Sequence, residues 1–206
     1  MLRVAGLSLS ALSVLAVLSF GCESAKSAPP PPPRPAIDPG GPREVAILAG
    51  GCFWGMEKVI REAPGVVSVE VGYAGGKSTK VSYEQVSSGE TGHAESVRIV
   101  FDPHQISYAD LLAHWYFRGH DPTTLNRQNN DVGTQYRSEI FATSDDQRKI
   151  AEAVKARVDS SGKWKRPVVT AIEPATTWVR AEDYHQDYLI KHPNGYNDHW
   201  LRDFDF

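Results

Sequence analysis

Gly50-Gly51-Cys52-Phe53-Trp54-Gly55 is the stretch around which this chain is organised. Before it, residues 43–49 form a short apolar, partly β-branched run that reads as a strand; after it, Phe53, Met56, Val59 and Ile60 recur at helical spacing. Cys52 therefore falls where a strand hands over to a helix. Gly50 and Gly51 let the backbone bend there without side chains that would block the sulfur. The first amides of a helix lack internal partners and carry partial positive charge, so a thiol at that point can be drawn toward the nucleophilic thiolate. The alternative reading is a small buried apolar residue, the ordinary fate of a lone cysteine.

Downstream, Ala63-Pro64-Gly65 stops the first helix, and residues 66–73 alternate as a strand that ends in Ala74-Gly75-Gly76. Residues 81–92 read as a polar loop or weak strand containing Tyr83. Residues 94–102 form a second clear strand, with Glu95, Val97, Ile99 and Phe101 on one face and Ser96, Arg98 and Val100 on the other. That parity puts Glu95 on the more apolar face, where desolvation would keep its carboxyl protonated and able to act as an acid. The competing position is just beyond the buried part of the strand, in solvent.

Ser107 to Asp110 resembles a capping box and opens a helix carrying Leu111, Leu112, Trp115 and Tyr116. Residues 118–135 are loop-like and polar, either a solvated loop or a substrate rim. Residues 137–143 read as a strand. Ser144 with Gln147 opens a helix whose Ile150, Val154 and Val158 form a stripe, closed by Gly162. Residues 167–172 read as another strand and 182–192 as a final short helix before an irregular, aromatic C-terminus. The first six elements match a split βαβ, ferredoxin-like core: an α+β fold with helices packed on a mixed sheet.

Composition narrows the rest. The chain has 206 residues, 41% of them apolar, enough for one well-cored domain at 43–206. A net charge of -3 gives no basic footprint for nucleic acid. The two cysteines, Cys22 and Cys52, form neither a zinc-ligand pattern nor a CxxC pair, so no metal site is expected. Residues 1–21 carry one positive charge, Arg3, and then a 17-residue apolar stretch holding four serines. This reads as an export signal rather than a spanning helix. Leu18-Ser19-Phe20-Gly21-Cys22 resembles a bacterial lipoprotein processing site in which Cys22 becomes the acylated N-terminus, although Ser19 stands where that pattern prefers Leu. Plain secretion with nearby cleavage is the alternative. Residues 22–42, with prolines at 29–33, 35, 39 and 42, form an extended polyproline-like tether. The expected location is the bacterial cell envelope or periplasm, with membrane attachment only through the lipid.

Six motifs then carry a family resemblance. Gly50-Gly51-Cys52-Phe53-Trp54, Gly72-Tyr73-Ala74-Gly75-Gly76, Tyr83-Glu84-Gln85-Val86, Thr91-Gly92-His93-Ala94-Glu95, the run from Asn130 to Ser138 and Ala181-Glu182-Asp183-Tyr184-His185-Gln186 occur in the order seen in type A peptide-methionine sulfoxide reductases. The resemblance spans residues 44–196. It implies that Cys52 is a nucleophile toward the sulfoxide sulfur, that Glu95 protonates the oxygen, and that Tyr83 and Tyr136 donate hydrogen bonds to that oxygen. Phe53 and Trp54 would wall the pocket for the substrate methyl, and Asp131 would contact the substrate backbone amide. The implied substrates are oxidised proteins, peptides and free methionine sulfoxide of the S form at sulfur. The product on the enzyme is a Cys52 sulfenic acid.

The chain departs from much of that family at Gly195-Tyr196-Asn197, where many members read Gly-Tyr-Cys, and no cysteine follows Cys52. The expected reductant is therefore external, a thioredoxin, a glutaredoxin or a small thiol, with no bound cofactor; an unacylated Cys22 is the one internal alternative. A monomer is expected. Two rival readings are a binding lipoprotein that retains a reductase scaffold, and a cysteine hydrolase in which His93 or His185 activates Cys52.

Overall fold

The computed structural model describes Met1 and residues 40–206. The expected signal beyond Met1, Cys22 and the tether up to residue 39 lie outside the described residues.

Strand β1 (Glu44–Gly50) leads through Gly51 and Cys52 into helix α1 (Phe53–Arg61), as the periodicity predicts. Strand β2 (Val66–Ala74), the short helix α2 (Tyr83–Ser87) and strand β3 (Ala94–Phe101) follow. Helix α3 covers residues 108–119 and is wound as a wider π-type coil over Leu111–Tyr116. A small hairpin pairs β4 (Arg127–Gln128) with β5 (Asp131–Val132). After it come β6 (Ser138–Ala142), α4 (Asp145–Ser160), β7 (Ala171–Pro174), β8 (Trp178–Arg180) and α5 (Tyr188–Lys191).

The main sheet has the order β7-β6-β1-β3-β2-β8. Its inner four strands, β6-β1-β3-β2, pair antiparallel throughout, which is the ferredoxin-like split βαβ order read from the sequence. β7 adds in parallel beside β6 and β8 antiparallel beside β2, making the sheet mixed. The core joins Leu48, Val71, Val97 and Ile99 of the sheet to Phe53, Met56 and Ile60 of α1 and to Leu111, Leu112 and Tyr116 of α3, all buried. Each such large side chain contributes roughly 1.5 to 3 kcal/mol relative to exposure, so the strand-to-helix joint at Cys52 is clamped between packed elements.

Four local expectations change. Residues 83–87 are helical because Ser82 and Gln85 form a reciprocal capping box, each side chain bonding the other's backbone amide. The strand expected at 167–172 begins only at Ala171, since the Val169 amide is drawn to the Pro122 carbonyl at 2.8 Å. The final helix shrinks to Tyr188–Lys191, because Asp187 adopts a left-handed conformation with φ of 55°. In α4 the buried stripe is Ala151, Val154 and Val158, and Ile150 is 36% exposed. β8, a three-residue edge strand, had no alternation long enough to read.

Candidate active site

The site begins with the turn at the end of β1. Gly51 has φ of +97°, and a Cβ there would stand 2.4 Å from Gln128 Cγ, so both conformation and space demand glycine. Three side chains from distant elements hold the turn's carbonyls. The Tyr116 hydroxyl donates to the Ala49 carbonyl at 2.9 Å, while His199 Nε2 at 2.7 Å and Gln128 Nε2 at 3.4 Å donate to that of Gly50. Cys52 then caps α1, and its carbonyl accepts the Met56 amide at 3.3 Å.

The sulfur opens into a pocket of about 130 Å³ lined by Cys52, Phe53, Trp54, Tyr83, Glu95, Asp131, Tyr136 and Tyr196. All seven residues singled out within the domain meet here, drawn from five parts of the chain between residues 52 and 136. Among the described residues, no group of three or more His, Cys, Asp or Glu is arranged to hold a metal ion.

Glu95 is 2% exposed, so the solvated position is excluded. The Phe53 amide donates to its Oε2 at 3.1 Å, tying the strand β3 carboxyl to the first residue of α1. Burial pushes its pKa up to about 8, with the charges of Asp131 and Asp198 adding to the rise and the Phe53 amide opposing it. At neutral pH it is an acid with a proton to give.

Cys52 differs from the sequence expectation. Its pKa stands well above the ordinary value, first through burial and then through the charge of Glu95, with Asp131 and Asp198 adding further. The helix N-terminal effect is present, as a hydrogen bond from the Trp54 amide that favours the thiolate. It is outweighed, and the resting residue is a thiol. Tyr83 and Tyr136 are raised by burial and by the Glu95 charge, which leaves both hydroxyls as donors.

The aromatic wall is built in two layers. Trp54 stacks on Tyr188 at 3.8 Å between ring centroids and donates from Nε1 to His185 Nδ1 at 3.1 Å. His185 sits against Phe53 at 5.0 Å and Tyr83 at 4.6 Å. Glu182 accepts the Tyr83 amide at 2.9 Å and the Tyr73 hydroxyl at 2.8 Å, which fixes the start of α2 at the pocket. Neither His93 nor His185 lines the pocket; His93 Nε2 contacts the Ser78 carbonyl at 3.0 Å and His185 Nδ1 accepts a hydrogen bond from Trp54 Nε1. The Cys-His pair that a cysteine hydrolase requires is not formed.

Sequence reasoning missed Tyr196, which lines the pocket together with Asp131. Its signal was the Gly195-Tyr196 dipeptide, read only for the cysteine that does not follow. It also missed Asp198 and His199, which sit in an irregular tail without periodicity.

A family model described as peptide methionine sulfoxide reductase matches residues 44–204. The peptide methionine sulfoxide reductase MsrA of Nocardia farcinica is 52% identical over 157 residues, 76% of this chain and 89% of that protein. Among solved structures, Mxr1 from Saccharomyces cerevisiae in reduced form superposes with a TM-score of 0.74 at 39% identity, covering 82% of this chain and 96% of that one. Mxr1 in complex with Trx2 superposes with a TM-score of 0.55 at 28% identity, covering 82% and 95%.

Proposed function

Because this chain belongs to the peptide methionine sulfoxide reductase family, and its activity is the thiol-dependent reduction of methionine sulfoxide, we propose the following division of labour in its pocket. Cys52 attacks the substrate sulfur while Glu95 gives its proton to the sulfoxide oxygen. The S–S bond formed by that attack then breaks as the hydroxyl passes from the substrate sulfur to the Cys52 sulfur; methionine departs with the bonding pair as the thioether, and Cys52 is left as a sulfenic acid. The atoms balance: the thiol and the sulfoxide become the sulfenic acid and the thioether, and the thiol's proton replaces the one Glu95 gave. Tyr83 and Tyr136 donate to the oxygen as its charge develops. Phe53 and Trp54 hold the methyl group, and Asp131 accepts from the substrate's backbone amide.

The observation that carries this reading is the buried Glu95, its pKa pushed up to about 8 by that burial, in the same 130 Å³ pocket as Cys52. A pocket of that size suits a methyl sulfoxide rather than a whole peptide side chain with its backbone. The second half of the cycle uses an external thiol, because no cysteine follows Cys52 and Asn197 occupies the expected position. The Mxr1 complex with Trx2 supports a thioredoxin-like reductant. The chain is further proposed to be exported and anchored through acylated Cys22, working as a monomer that repairs oxidised envelope proteins. The signal-like residues 1–21 and the proline-rich tether support the export and the anchor.

The test is to give the protein a peptide carrying either sulfoxide epimer with excess dithiothreitol and to weigh the products. Conversion of the S epimer alone is expected. Conversion of both, or of neither, would defeat the assignment. The mass of the N-terminal peptide from cells tests the anchor: a diacylglyceryl group on Cys22 is expected, and an unmodified N-terminus elsewhere contradicts it.

A further inference from the structure

The segment after Tyr196 brings a second ionisable pair to the turn that presents the nucleophile. The His199 side chain is fully enclosed. Its Nε2 lies 2.7 Å from the Gly50 carbonyl, which can only accept, so that nitrogen carries a proton. Its Nδ1 lies 2.6 Å from Asp198 Oδ1, and the Asp198 side chain is only 7% exposed. At that separation the two atoms make an ion-pair contact whenever the ring carries a proton on both nitrogens. The contact lacks the alignment of a regular hydrogen bond, and no other hydrogen-bond donor among the described residues reaches either Asp198 oxygen. The ring is therefore the carboxylate's principal compensation.

The segment is fixed where it stands. Asn197 bonds the His199 amide and carbonyl through its side chain, each at 3.1 Å, and Asn129 Nδ2 donates to the Asp198 carbonyl at 2.8 Å. On the other side a Cβ at Gly55 would stand 2.4 Å from His199 Nδ1, and one at Gly51 3.1 Å from its Cε1. The imidazole thus fills the space between the glycine turn before Cys52 and the first turn of the helix after it.

We propose that Asp198 and His199 form a positioning and charge-compensating pair for Cys52: His199 holds the Gly50 carbonyl with one ring nitrogen and, with the other, neutralises a carboxylate that would otherwise stand unpaired behind the turn that presents the sulfur. The proposal rests on Cys52 as the nucleophile. Its logic is a charge count. Glu95 and Asp131 already oppose thiolate formation, and Asp198 acts on Cys52 in the same direction; a third uncompensated carboxylate would disfavour the attacking species further. The remaining charged groups around the pair are Asp131 on β5, His120 at the end of α3, Asp121 after it and Arg202 in the tail. Of the cationic ones, Arg202 is shared with Asp121, and His120 is held neutral by burial, which pushes its pKa down to about 3.

The experiment follows alkylation of Cys52 by iodoacetamide against pH in the full chain, read on the Cys52 peptide so that Cys22 does not interfere. In His199→Gln the amide can still donate to the Gly50 carbonyl, but the imidazolium is gone. Its alkylation midpoint is expected to rise by about one pH unit or more. Adding Asp198→Asn removes the stranded charge, and the double variant is expected to return to within about 0.3 unit of the parent. A His199→Gln midpoint equal to the parent's, or a double variant that stays with the single, overturns the proposal, since a merely structural role would not reverse on removing a second group. Nitrogen-15 spectra of the parent need no variant: at pH 7 a proton on both ring nitrogens of His199 is expected, and a bare Nδ1 overturns it. Alkylation reads the thiol without turnover, and sulfoxide reduction by the parent reads the role of Cys52, so the two failures are distinguishable.

Discussion

Replacing Glu95 by Gln keeps the shape of the pocket and the acceptor for the Phe53 amide while removing the one carboxyl whose proton the proposed mechanism spends. In a single turnover without reductant, Glu95→Gln should reduce the sulfoxide about 10²- to 10⁴-fold more slowly, the usual weight of a positioned acid. The pH profile gives a sharper test. The reacting state holds two protons, one on Glu95 for the sulfoxide oxygen and one on Cys52 that Glu95 accepts in turn. Glu95 loses its proton near pH 8 and Cys52 well above its ordinary value. The parent's second-order rate constant should therefore run level up to a break near 8 and fall above it as the carboxyl loses its proton. In Glu95→Gln the break at 8 should vanish, and the slower rate should climb with pH toward the thiol's own value. Stability must follow the same proton. Because Glu95 is raised from an ordinary 4.5 to about 8, the folded state holds the proton longer than the unfolded chain. Its contribution is complete below 4.5 and is lost as pH rises to about 8, by an amount on the order of 5 kcal/mol at most. Urea unfolding of both proteins from pH 5 to pH 9 isolates that term as the difference between them. A variant that kept parental single-turnover speed, or that lost stability in parallel with the parent across this window, would refute the reasoning.

Cys52→Ser should abolish turnover with an unchanged circular dichroism spectrum, since Cys52 is the free thiol of the domain; activity near the parent's would end the mechanism. One equivalent of sulfoxide followed by a sulfenic-acid trap should add a single label at Cys52, whereas a protein two mass units lighter with joined Cys22 and Cys52 peptides would contradict the external-thiol cycle. Gly55→Ala should destabilise by roughly 1 to 3 kcal/mol in urea melts, although alanine is ordinarily the better helix former, because its Cβ would stand 2.4 Å from His199 Nδ1 and 2.8 Å from Asn197 Oδ1. A stabilised Gly55→Ala protein would show that the tail does not pack on α1.

The central joint was legible because two periodicities meet there, an apolar strand up to Ala49 and a helical stripe from Phe53. The parity of β3 likewise put Glu95 on the buried side with Val97, Ile99 and Phe101, and left only the depth of burial to the structure. What stayed illegible was set by contacts distant in sequence. The ionisation of Cys52 depends on carboxylates 43, 79 and 146 residues away, at Glu95, Asp131 and Asp198, and no local rule about helix N-termini contains them. Tyr196 and His199 reach the site from a tail without regular structure, where spacing carries no signal. The 83–87 helix was missed for a different reason: its capping box is a local signature, hidden by the polar residues around it.

The charge arrangement bears on how such a thiol stays useful. Glu95, Asp131 and Asp198 all oppose ionisation of Cys52, and the Trp54 amide favours it. A cationic acid at position 95, such as a lysine or a histidinium, would also supply a proton, but it would hold Cys52 as a thiolate at rest, exposed to any oxidant small enough to enter. A buried carboxyl does the opposite. While it keeps its proton it is neutral, and the thiol beside it remains a thiol; on giving that proton to a sulfoxide oxygen it becomes the base nearest to the thiol's own proton. Release of the first proton therefore prepares acceptance of the second, and the nucleophile is generated in the presence of an oxygen basic enough to be protonated. A thioether or a sulfone of the same shape offers no equally basic oxygen on an electrophilic sulfur, so the pocket's proton count, more than its walls, selects the oxidation state of the sulfur it reduces.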